Sequence, residues 1–339
     1  MNRKSIIFKA PKVVEVVEGK CPETTAGKVL VRVMSSTISS GTERANLMGG
    51  VSISPKRHTD TTATYPRISG YSTSGVVVEV GEGVTSVKPG DRVAMAWTQH
   101  RNYVLMEEKN IFKIEDESIS FSEAALWHIA TFPLAAIRKC RFEMGESAIV
   151  MGMGILGIMA IKLLRAAAAS PIIAVDPIPE KRELALKLGA DYAFDPFIED
   201  FEEQVRGVTN GGVNVAIEVT GNGKALDSVL DCMARYGRVA LLGCTRNSDF
   251  TIDYYKKVHG PGITLVGAHT CARPNEESSN GWWTLKDDMY AIQKMVSCGR
   301  IEFASLVEEI HTPDEAPQVY KRLVEEPAFP VVQFDWEKF

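Results

Sequence analysis

The sequence has little of what marks a membrane, secreted or nucleic-acid-binding protein. In 339 residues no apolar run reaches the roughly 18 residues that a membrane-spanning helix needs. The first residues soon become polar, which argues against a secretory signal. There is no basic block and the net charge is −5, so nucleic-acid binding has no support. We expect a cytoplasmic protein with a small-molecule substrate, and neither a nucleic acid nor a membrane as partner.

Cysteine and histidine are scarce, with six of each in the chain. The cysteines include no pair with the Cys-x-x-Cys spacing of zinc and redox sites. We interpret them as scattered, reduced thiols of a cytoplasmic protein. With 45% hydrophobic and 24% charged residues, a chain of this length is typical of a globular protein with two domains.

The most informative feature that is present is a glycine pattern after an apolar run of strand length, AIVM. Gly152, Gly154 and Gly157 have the spacing Gly-x-Gly-x-x-Gly, with Ile155 and Leu156 before the last glycine and helix formers after it. The first glycine allows a sharp turn, the second lets backbone N–H groups approach a pyrophosphate, and the third lets the helix pack closely. The pattern predicts a dinucleotide at a helix N-terminus. A plain strand-to-helix turn is the alternative.

A second strand pattern, PIIAV, ends in Asp176, which lies 24 residues after Gly152. In a dinucleotide-binding fold this is where a carboxylate accepts hydrogen bonds from the adenosine ribose. Because a carboxylate repels a 2′-phosphate, NAD is favoured over NADP, while Lys181 and Arg182 keep NADP open as a cofactor. The alternative for Asp176 is an acid that caps a helix or a turn.

The first 120 residues are rich in strand signals. β-branched and alternating residues between glycine and proline turns predict strands at Ser5–Phe8, Lys12–Val17, Lys28–Ser36, Ser74–Val80, Arg92–Met95 and Tyr103–Glu107. From Ser122 onward, helix signals replace strand signals. Ser122 is a residue type that caps helices, and it begins a predicted helix.

From about Gly145 to Cys298, strand and helix signals alternate. Strands are predicted at 147–151, 171–176, 191–194, 213–219, 237–243 and 262–268, with helices at Pro179–Leu188, Phe201–Thr209, Gly223–Met233 and Leu285–Ser297. This alternation predicts an α/β fold with a doubly wound parallel sheet. The last stretch, Leu306–Phe339, has strand, helix and strand character, and we expect it to return to the first domain.

Several segments occur together in an order that resembles the medium-chain dehydrogenase/reductase family. They are GEGV at 81–84, KPGDRV at 88–93, KLGADY at 187–192, EVTG at 218–221 and GRVALLG at 237–243. The resemblance covers nearly the whole chain. It implies a β-rich GroES-like catalytic domain of residues 1–121 and 303–339, and a Rossmann NAD(P)-binding domain of residues 122–302. The cofactor residues that it adds are Thr220, Gly243 and Gly267.

Many members of that family carry a catalytic zinc, and the positions of its ligands are altered here. They fall on SGTE at 40–43, on GYS at 70–72 and near WH at 127–128, and no lobe of four cysteines lies between residues 90 and 120. Zinc prefers thiolate, imidazole or carboxylate ligands in a tetrahedral set, which Ser, Tyr and Trp do not supply. The resemblance therefore implies a zinc-lacking branch, similar to bacteriochlorophyllide dehydrogenases and to dehydrogenases of sugars or cyclitols.

Without zinc, another group must polarise the substrate oxygen during hydride transfer. Tyr71 matches the position of a ligand histidine, and its phenol can donate to a carbonyl oxygen or take a proton. Thr42 matches the relay hydroxyl of the family, and Glu43 matches an acid that orients Tyr71 or acts as a base. His269 follows the strand that we expect to end beside the nicotinamide. The alternatives are packing for Tyr71, a helix cap for Thr42 and an ion pair of Glu43 with Arg44 or Arg67.

Two loops and one histidine are candidates for substrate contact. Residues 49–65 are polar and threonine-rich, and residues 271–283 contain Arg273, Trp282 and Trp283. Long polar loops of this kind are often functional lids, and paired tryptophans suit the apolar C–H face of a sugar ring. The tryptophans alternatively pack in the core or in a dimer interface. His100 is either close to the pocket or a surface histidine with its hydrogen bonds satisfied.

We therefore expect a zinc-independent, NAD(P)-dependent oxidoreductase that acts on a secondary alcohol or ketone, in particular a sugar, cyclitol or polyol. One alternative is a zinc-free quinone or enone reductase. Another is a sensor that binds NAD without turnover. We expect a homodimer or homotetramer, with the short apolar strand at 262–267 as the candidate interface.

Overall fold

The computed structural model of the chain describes residues 2–50, 64–246, 248 and 250–339. The chain forms two compact units, Met1–Ile129 with Met289–Phe339, and Ala130–Asp288. The boundaries of these units, at 129/130 and 288/289, differ from the predicted domain boundaries at 121/122 and 302/303. The predicted domain boundaries stay a prediction. Among the described residues, no helix has the length and apolar content needed to cross a membrane.

The first unit is built mainly from antiparallel strands. They are β1 (Asn2–Ala10), β2 (Val13–Lys20), β3 (Lys28–Thr37), β4 (Arg67–Ile68), β5 (Ser72–Val80), β6 (Arg92–Ala96), β7 (Tyr103–Glu107), β8 (Ile111–Lys113), β15 (Glu309–His311) and β16 (Val332–Asp335). β2, β1 and β4 form a three-stranded sheet. The others form a seven-stranded sheet in the order β15-β16-β3-β5-β6-β8, with β7 paired to β3. All six strands predicted before residue 120 are therefore confirmed, with small shifts of their ends.

Three helices lie entirely in the first unit: α1 (Ser40–Leu47), α2 (Phe121–Ala124) and α9 (Ala316–Glu325). The prediction that Ser122 caps a helix is wrong by two residues. The capping residue is Ser120, whose hydroxyl accepts a hydrogen bond from the Glu123 backbone N–H at 3.0 Å. Ser120 is extended, as an N-cap residue should be, whereas Ser122 already lies inside the helix. The predicted return of the last stretch to the first unit is confirmed by β15, α9 and β16.

The second unit contains one parallel sheet. Its strands are β9 (Ala148–Met151), β10 (Ile172–Val175), β11 (Tyr192–Phe194), β12 (Val213–Glu218), β13 (Met233–Leu241) and β14 (Thr264–Gly267). The order β11-β10-β9-β12-β13-β14 is that of two mononucleotide-binding halves joined at β9 and β12. The predicted doubly wound sheet is thus confirmed, and β14 is an edge strand.

Helices connect the strands of this sheet. They are α4 (Ile155–Ala166), α5 (Pro179–Lys187), α6 (Phe201–Thr209) and α7 (Gly223–Asp231), while α3 (Trp127–Lys139) and α8 (Leu285–Ser297) each cross a unit boundary. All residues of β9 and β10 are buried, as expected for parallel strands covered on both faces. Each unit has its own apolar cluster, around Phe8, Tyr320 and Trp336 in the first and around Ile149 and Val239 in the second.

Candidate functional site

The turn between β9 and α4 is shaped by two glycines that tolerate no side chain. Gly152 has a φ of +99°, and a Cβ on it would lie 2.9 Å from Cγ2 of Thr220. A Cβ on Gly157 would lie only 1.9 Å from the carbonyl oxygen of Gly152. The sharp turn and the close packing of the helix predicted for these residues are both present.

The middle glycine leaves room at the start of α4. Gly154 is the N-cap residue, and a Cβ on it would meet nothing within 4 Å. Ile155 and Leu156 form the first turn of the helix, with Ile155 buried. The unpaired N–H groups of this turn give a helix N-terminus that is open to an anion.

Asp176 braces this turn from the end of β10. Its Oδ2 accepts a hydrogen bond from the Met153 N–H at 2.8 Å, and its Oδ1 accepts one from the Ile178 N–H at 2.9 Å. The side chain is buried, with 6% exposed. The turn-capping alternative is therefore part of its role, because the carboxylate fixes the backbone of the glycine turn. Arg182 donates to the Asp176 carbonyl oxygen at 2.7 Å, and Lys181 is half-buried in α5.

The other predicted cofactor residues lie at the same edge of the sheet, where the parallel strands end. Thr220 follows β12, and its N–H donates to Glu218 at 2.7 Å. Burial raises the pKa of the Glu218 carboxyl. A Cβ on Gly243 would lie 2.2 Å from the Gly221 nitrogen, so this glycine lets two loops approach. Gly267 ends β14 and has open space around it. Ligands of such sheets bind at this carboxyl edge.

In the first unit, Tyr71 is held at both its backbone and its hydroxyl. Gly70 before it has a φ of +92°, and a Cβ there would lie 2.7 Å from the His100 nitrogen. The Tyr71 carbonyl oxygen accepts hydrogen bonds from the Trp97 N–H at 2.9 Å and from His128 Nδ1 at 2.6 Å. The Tyr71 hydroxyl donates to Ser39 Oγ. Tyr71 thus combines the packing role with a hydroxyl–hydroxyl contact.

His128 and Trp97 complete an aromatic group around Tyr71. The ring centroids of Trp97 and His128 are 4.7 Å apart, and those of Tyr71 and His128 are 5.5 Å apart. A carbonyl oxygen only accepts hydrogen bonds, so Nδ1 of His128 carries the proton. Trp97 has a φ of +60°, which is unusual for a large side chain, and 41% of it is exposed. Of the three side chains, Trp97 is exposed, Tyr71 is half-buried and His128 is buried.

Glu43 lies behind this group at the centre of a buried network. Its carboxylate accepts hydrogen bonds from the Ser39 N–H at 2.9 Å and from the Tyr320 hydroxyl at 2.5 Å. It also contacts His100 Nε2 at 3.1 Å. Burial, and then the charge of Glu43, raises the pKa of Tyr320 well above its usual value, which keeps this phenol protonated. The carboxylate therefore acts on Tyr71 through Ser39, on which both hydrogen-bond paths converge.

The alternative ion pair of Glu43 is wrong. Arg44 donates instead to the carbonyl oxygens of Leu323 and Glu326, at 2.7 and 3.1 Å. Arg67 donates to the carbonyl oxygens of residues 46, 50 and 64. Both guanidinium groups thus satisfy chain carbonyls, and the carboxylate of Glu43 is turned inward with no exposed surface.

His100 and Thr42 also require correction. His100 is fully buried. Its Nδ1 contacts Ser36 Oγ at 2.8 Å, and its Nε2 contacts the Glu43 carboxylate at 3.1 Å. We therefore reassign it from substrate contact, or surface histidine, to the buried network. Thr42 is half-buried inside α1 and is not the cap, since Ser39 is the N-cap residue. The sequence pattern aligned Ser40 with a zinc ligand, and it missed Ser39 because only the fold shows which serine faces Tyr71.

The loop after β14 contains the remaining candidates. His269 Nδ1 accepts a hydrogen bond from the Cys271 N–H at 3.1 Å, and burial lowers the pKa of His269, with a smaller effect of Lys139. The Trp282 ring is 39% exposed. One face of Trp283 is covered by the Arg138 guanidinium at 3.5 Å, which excludes a sugar ring from that face. Arg273 is buried against Asp288.

The side chains at the three altered positions do not fit a catalytic zinc. Ser72 donates its hydroxyl to the Ala125 carbonyl oxygen at 2.7 Å, and Tyr71 and Ser39 bond to each other. By residue type, His128 and Glu43 are the zinc ligands of this set, and the Glu43 carboxylate is already occupied by Ser39, His100 and Tyr320. Across residues 2–50, 64–246, 248 and 250–339, no three His, Cys, Asp or Glu side chains are grouped to hold a metal ion. The threonine-rich part of the predicted loop 49–65, residues 51–63, lies outside the described residues.

Two family models match the chain. Residues 25–121 match the alcohol dehydrogenase GroES-like domain, and residues 156–282 match the zinc-binding dehydrogenase domain. The second match lies within the unit that holds the glycine turn and does not include residues 39, 71 or 128. The GroES-like character expected of the first domain is confirmed.

Three curated relatives are similar over much of the chain. L-threonine 3-dehydrogenase of Pyrococcus horikoshii is 30% identical over 75% of this chain and 78% of its own length. D-guloside 3-dehydrogenase of Shigella flexneri is 24% identical over 95% of this chain and 96% of its own. (R,R)-butanediol dehydrogenase of Bacillus subtilis is 34% identical over 59% of this chain, which spans 65% of that protein.

The crystal structure of 2R,3R-butanediol dehydrogenase from Bacillus subtilis extends this likeness to the fold. It superposes with a TM-score of 0.80 at 25% identity, and covers 98% of this chain and 99% of its own. The glycine turn, the strand order and the GroES-like unit agree with this likeness. The chain belongs to the medium-chain dehydrogenase/reductase family, among its members that resemble sugar and polyol dehydrogenases.

Proposed function

We propose that the protein is a zinc-independent, NAD(P)-dependent oxidoreductase of a secondary alcohol or ketone in the sugar, cyclitol or polyol class. The observation that carries the proposal is the presence of both an intact glycine turn and a hydroxyl pair, in which Tyr71 at an altered zinc position donates to Ser39, one residue before the altered segment 40–43. The names of the relatives, which are dehydrogenases of a diol, of the hydroxy amino acid L-threonine and of a guloside, support a secondary alcohol as substrate.

The second unit supplies the groups that fit a dinucleotide. The open N-terminus of α4 at Gly154 suits the pyrophosphate. Each oxygen of the Asp176 carboxylate accepts one hydrogen bond within the protein, and its second lone pair suits the ribose hydroxyls. The nicotinamide of a bound cofactor would supply the hydride acceptor or donor. The acid at the end of β10 favours NAD, and Lys181 keeps NADP open.

The first unit supplies a proton. In the ground state, the Tyr71 hydroxyl donates to Ser39 Oγ. If Ser39 instead donates to the phenol oxygen, the Tyr71 proton can pass to the oxygen of a ketone as hydride adds to its carbon, which leaves a phenolate that the Ser39 hydroxyl stabilises. In the oxidation direction, this phenolate takes the proton of the alcohol as the hydride leaves. Glu43 positions Ser39 through its backbone N–H and takes no part in contact with substrate, because its side chain is fully buried. Thr42 and His269 stay predicted contacts.

The chemistry of the donor set supports catalysis without zinc. Of the groups at the three altered positions, the His128 imidazole and the Glu43 carboxylate are ligands by type. Nδ1 of His128 donates to the Tyr71 carbonyl oxygen, and Glu43 is fully buried with its oxygens bound to Ser39, His100 and Tyr320. A single imidazole with two aliphatic or phenolic hydroxyls is a poor match to a tetrahedral zinc site. We therefore assign the polarising role to the hydroxyl pair.

The test is a metal-free assay. Protein dialysed against a chelator is titrated with NAD and NADP by calorimetry, and is then assayed with a panel of polyols and sugars at 340 nm. We expect cofactor binding and turnover with at least one polyol, with no gain on adding zinc. Activity that disappears with the chelator and returns with zinc would contradict the zinc-independent reaction. Cofactor binding with no turnover of any alcohol, quinone or enone would favour the sensor.

We also propose that two copies pair through β14. This strand is the edge of the parallel sheet, and three of its four residues are exposed, among them Leu265. Open edges with apolar side chains are sites of strand pairing. Light scattering at micromolar concentration should give a dimer or a tetramer, and a monomer at all concentrations would exclude this pairing.

A further inference from the structure

In the second unit, basic side chains at the end of α3 lie close to the loop that follows β14. We call the group of Arg138, Lys139, Thr270, Arg273 and Asp288 the basic loop cluster. Arg138 Nε donates to Asp288 Oδ1 at 3.0 Å, and Arg273 Nη1 lies 3.5 Å from Asp288 Oδ2. Asp288 is fully buried, and only 8% of the Arg273 side chain is exposed. Two guanidinium groups thus share one buried carboxylate.

Arg273 has donor capacity that the protein leaves unused. Its Nε donates to the Thr270 carbonyl oxygen at 2.9 Å, and its Nη1 faces Asp288. Its Nη2 is buried and has no hydrogen-bond partner among the described residues. A buried guanidinium N–H without an acceptor costs free energy, so such a group in a folded protein calls for a ligand.

A second unused donor lies on the same loop. Thr270 Oγ1 is buried and, within the part of the chain that the structure describes, also has no partner. Arg273 and Thr270 are joined by the hydrogen bond from the guanidinium to the Thr270 carbonyl. A hydroxyl and a planar guanidinium on one short loop are donors of the kinds that recur in sites for carboxylate and phosphate groups.

The charges of the cluster are out of balance. Lys139 Nζ lies 3.5 Å from the His269 carbonyl oxygen, and burial, followed by the charge of Arg273, lowers the pKa of Lys139 to about 8. Burial also raises the pKa of Asp288 to about 6, against the pull of the two arginines. At neutral pH the cluster therefore has more positive than negative charge in a desolvated place. Such an excess is costly unless an anion joins it.

The tryptophans cover the cations from one side. The Arg138 guanidinium lies 3.5 Å from the Trp283 ring centroid, and Lys139 Nζ lies 5.0 Å from that of Trp282. These contacts fix both cations by cation–π attraction and reduce their hydration. The loop also follows the carboxyl end of a strand of the parallel sheet, which is the edge where such folds bind ligands.

We propose that the basic loop cluster binds an oxyanion group, a carboxylate or a phosphate, with Arg273 and Thr270 as donors and Lys139 as a further positive charge. The group comes either from a free inorganic anion or from a polyol substrate that carries an acid group. The substrate source rests on the proposed function, whereas oxyanion binding itself does not.

The binding test is calorimetric titration with inorganic phosphate and with D-gluconate. Saturating NAD is present in a parallel series, because the glycine turn is a second place where phosphate can bind. Arg273→Lys and Thr270→Val should each weaken binding by about 10-fold or more, as expected for a lost hydrogen bond to a charged group. The matched controls are Arg235→Lys and Thr251→Val, which change exposed residues of the same unit. They should leave binding unchanged.

The melting temperature of each variant serves as the control for correct folding. Thr270→Val removes a hydroxyl that has no partner, so the free protein should be as stable as the wild type or slightly more stable. A fall in oxyanion affinity without a fall in stability therefore identifies a ligand contact. If Arg273→Lys fails to fold, Thr270→Val decides the question alone.

The kinetics with D-gluconate and with D-glucitol distinguish an oxyanion carried by the substrate from a free inorganic anion. If the substrate supplies it, Arg273→Lys lowers kcat/KM at least about 10-fold more for the acidic polyol than for the neutral one. If phosphate affinity falls while kinetics stay constant, a free anion occupies the site. The proposal is overturned if the wild type binds neither phosphate nor D-gluconate, or if the variants bind as the controls do. Loss of NAD binding or turnover, by contrast, overturns only the proposed function.

Discussion

His100 and Glu43 are in hydrogen-bond contact at a place in the first unit from which water is excluded. Nε2 of His100 lies 3.1 Å from Oε2 of Glu43, and neither side chain has exposed surface. The pair joins the loop between β6 and β7 to α1, and Tyr320 from α9 adds a third element through its hydroxyl. A group of this kind holds three parts of the first unit together behind Tyr71, and it gives the first prediction.

Glu43→Ala should lower the free energy of unfolding by about 3–5 kcal/mol, because it leaves a buried imidazole and two buried donors without an acceptor. Tyr320→Phe, which removes one hydrogen bond and keeps the ring, should cost only about 1–2 kcal/mol. Urea denaturation of both variants measures the difference. Equal stability of Glu43→Ala and the wild type would show that the network contributes nothing to folding.

Tyr71→Phe should lower kcat by about 10²–10⁴-fold, because the phenol is the proposed acid and base. Ser39→Ala should lower kcat less and shift the pH profile, since it removes the partner of the Tyr71 hydroxyl and leaves the phenol in place. Steady-state kinetics from pH 6 to 10 with the best polyol provide the measurement. Ser39→Thr keeps a hydroxyl and should restore much of the rate. An unchanged rate in Tyr71→Phe would move the acid–base role to another group.

Substitutions at two glycines of the turn allow cofactor binding and folding to be tested separately. Gly154→Ala should fold normally, since a Cβ there meets nothing within 4 Å, but should weaken NAD binding by about 10-fold or more through loss of close backbone approach. Gly157→Ala should destabilise the protein by about 1–3 kcal/mol, because its Cβ would lie 1.9 Å from a carbonyl oxygen.

Gly207→Ala is the control for both glycine variants. It lies inside α6 with nothing within 4 Å of a Cβ, and should stabilise the protein by about 0.5–1 kcal/mol without affecting NAD. Calorimetric NAD titration and thermal melting of the three variants give the comparison. Undiminished NAD affinity in Gly154→Ala would mean that the pyrophosphate does not approach this residue.

A surface group around His311 predicts a pH-dependent part of stability. Burial alone would lower the pKa of His311, but hydrogen bonds with Glu309 and Glu315 outweigh it and raise the pKa above 6.5. The Arg322 hydrogen bonds lower the pKa of Glu309 to about 2, and the His311 hydrogen bond lowers that of Glu315 to about 2.

The sign of the effect follows from these directions. The contribution of His311 is fully present below pH 6.5 and is lost as the pH rises through its folded pKa. The contribution of Glu309 and Glu315 is present above pH 4.5 and is lost as the pH falls toward 2. The stability difference between wild type and His311→Gln should therefore shrink from pH 6 to pH 8 in denaturant titrations. A difference that grows over this range would contradict the assignment.

Much of the second unit could be predicted because its signals are local. The spacing of Gly152, Gly154 and Gly157 and the acid at 176 lie within one strand–helix–strand unit, and the glycines have the geometry that the pattern demands. The pattern left both a ribose contact and a turn cap open for Asp176, and only the structure shows that its Oδ2 accepts a hydrogen bond from the Met153 N–H. That hydrogen bond depends on how β10 ends beside β9, which the spacing alone does not specify.

The candidate site of the first unit was only half predictable. Tyr71 and Glu43 were found because they occupy motif positions, whereas Ser39 lies one residue from the aligned serine and was missed. The role of His100 was misassigned, since a histidine in a polar segment, TQHRN, has no local sign of burial. Its partners Glu43 and Ser36 lie 57 and 64 residues away in the chain.

The class of fold, the glycine turn and the alteration of the zinc positions follow from the amino-acid sequence, because each depends on residue type and on spacing within a few turns of chain. The groups that surround Tyr71 and the cations that share Asp288 depend instead on the three-dimensional packing of the chain. Tyr320 reaches Glu43 from 277 residues away, and Arg138 reaches Asp288 from 150 residues away. Contacts over such distances arise from the packing of sheets and helices, and no periodicity along the chain encodes them.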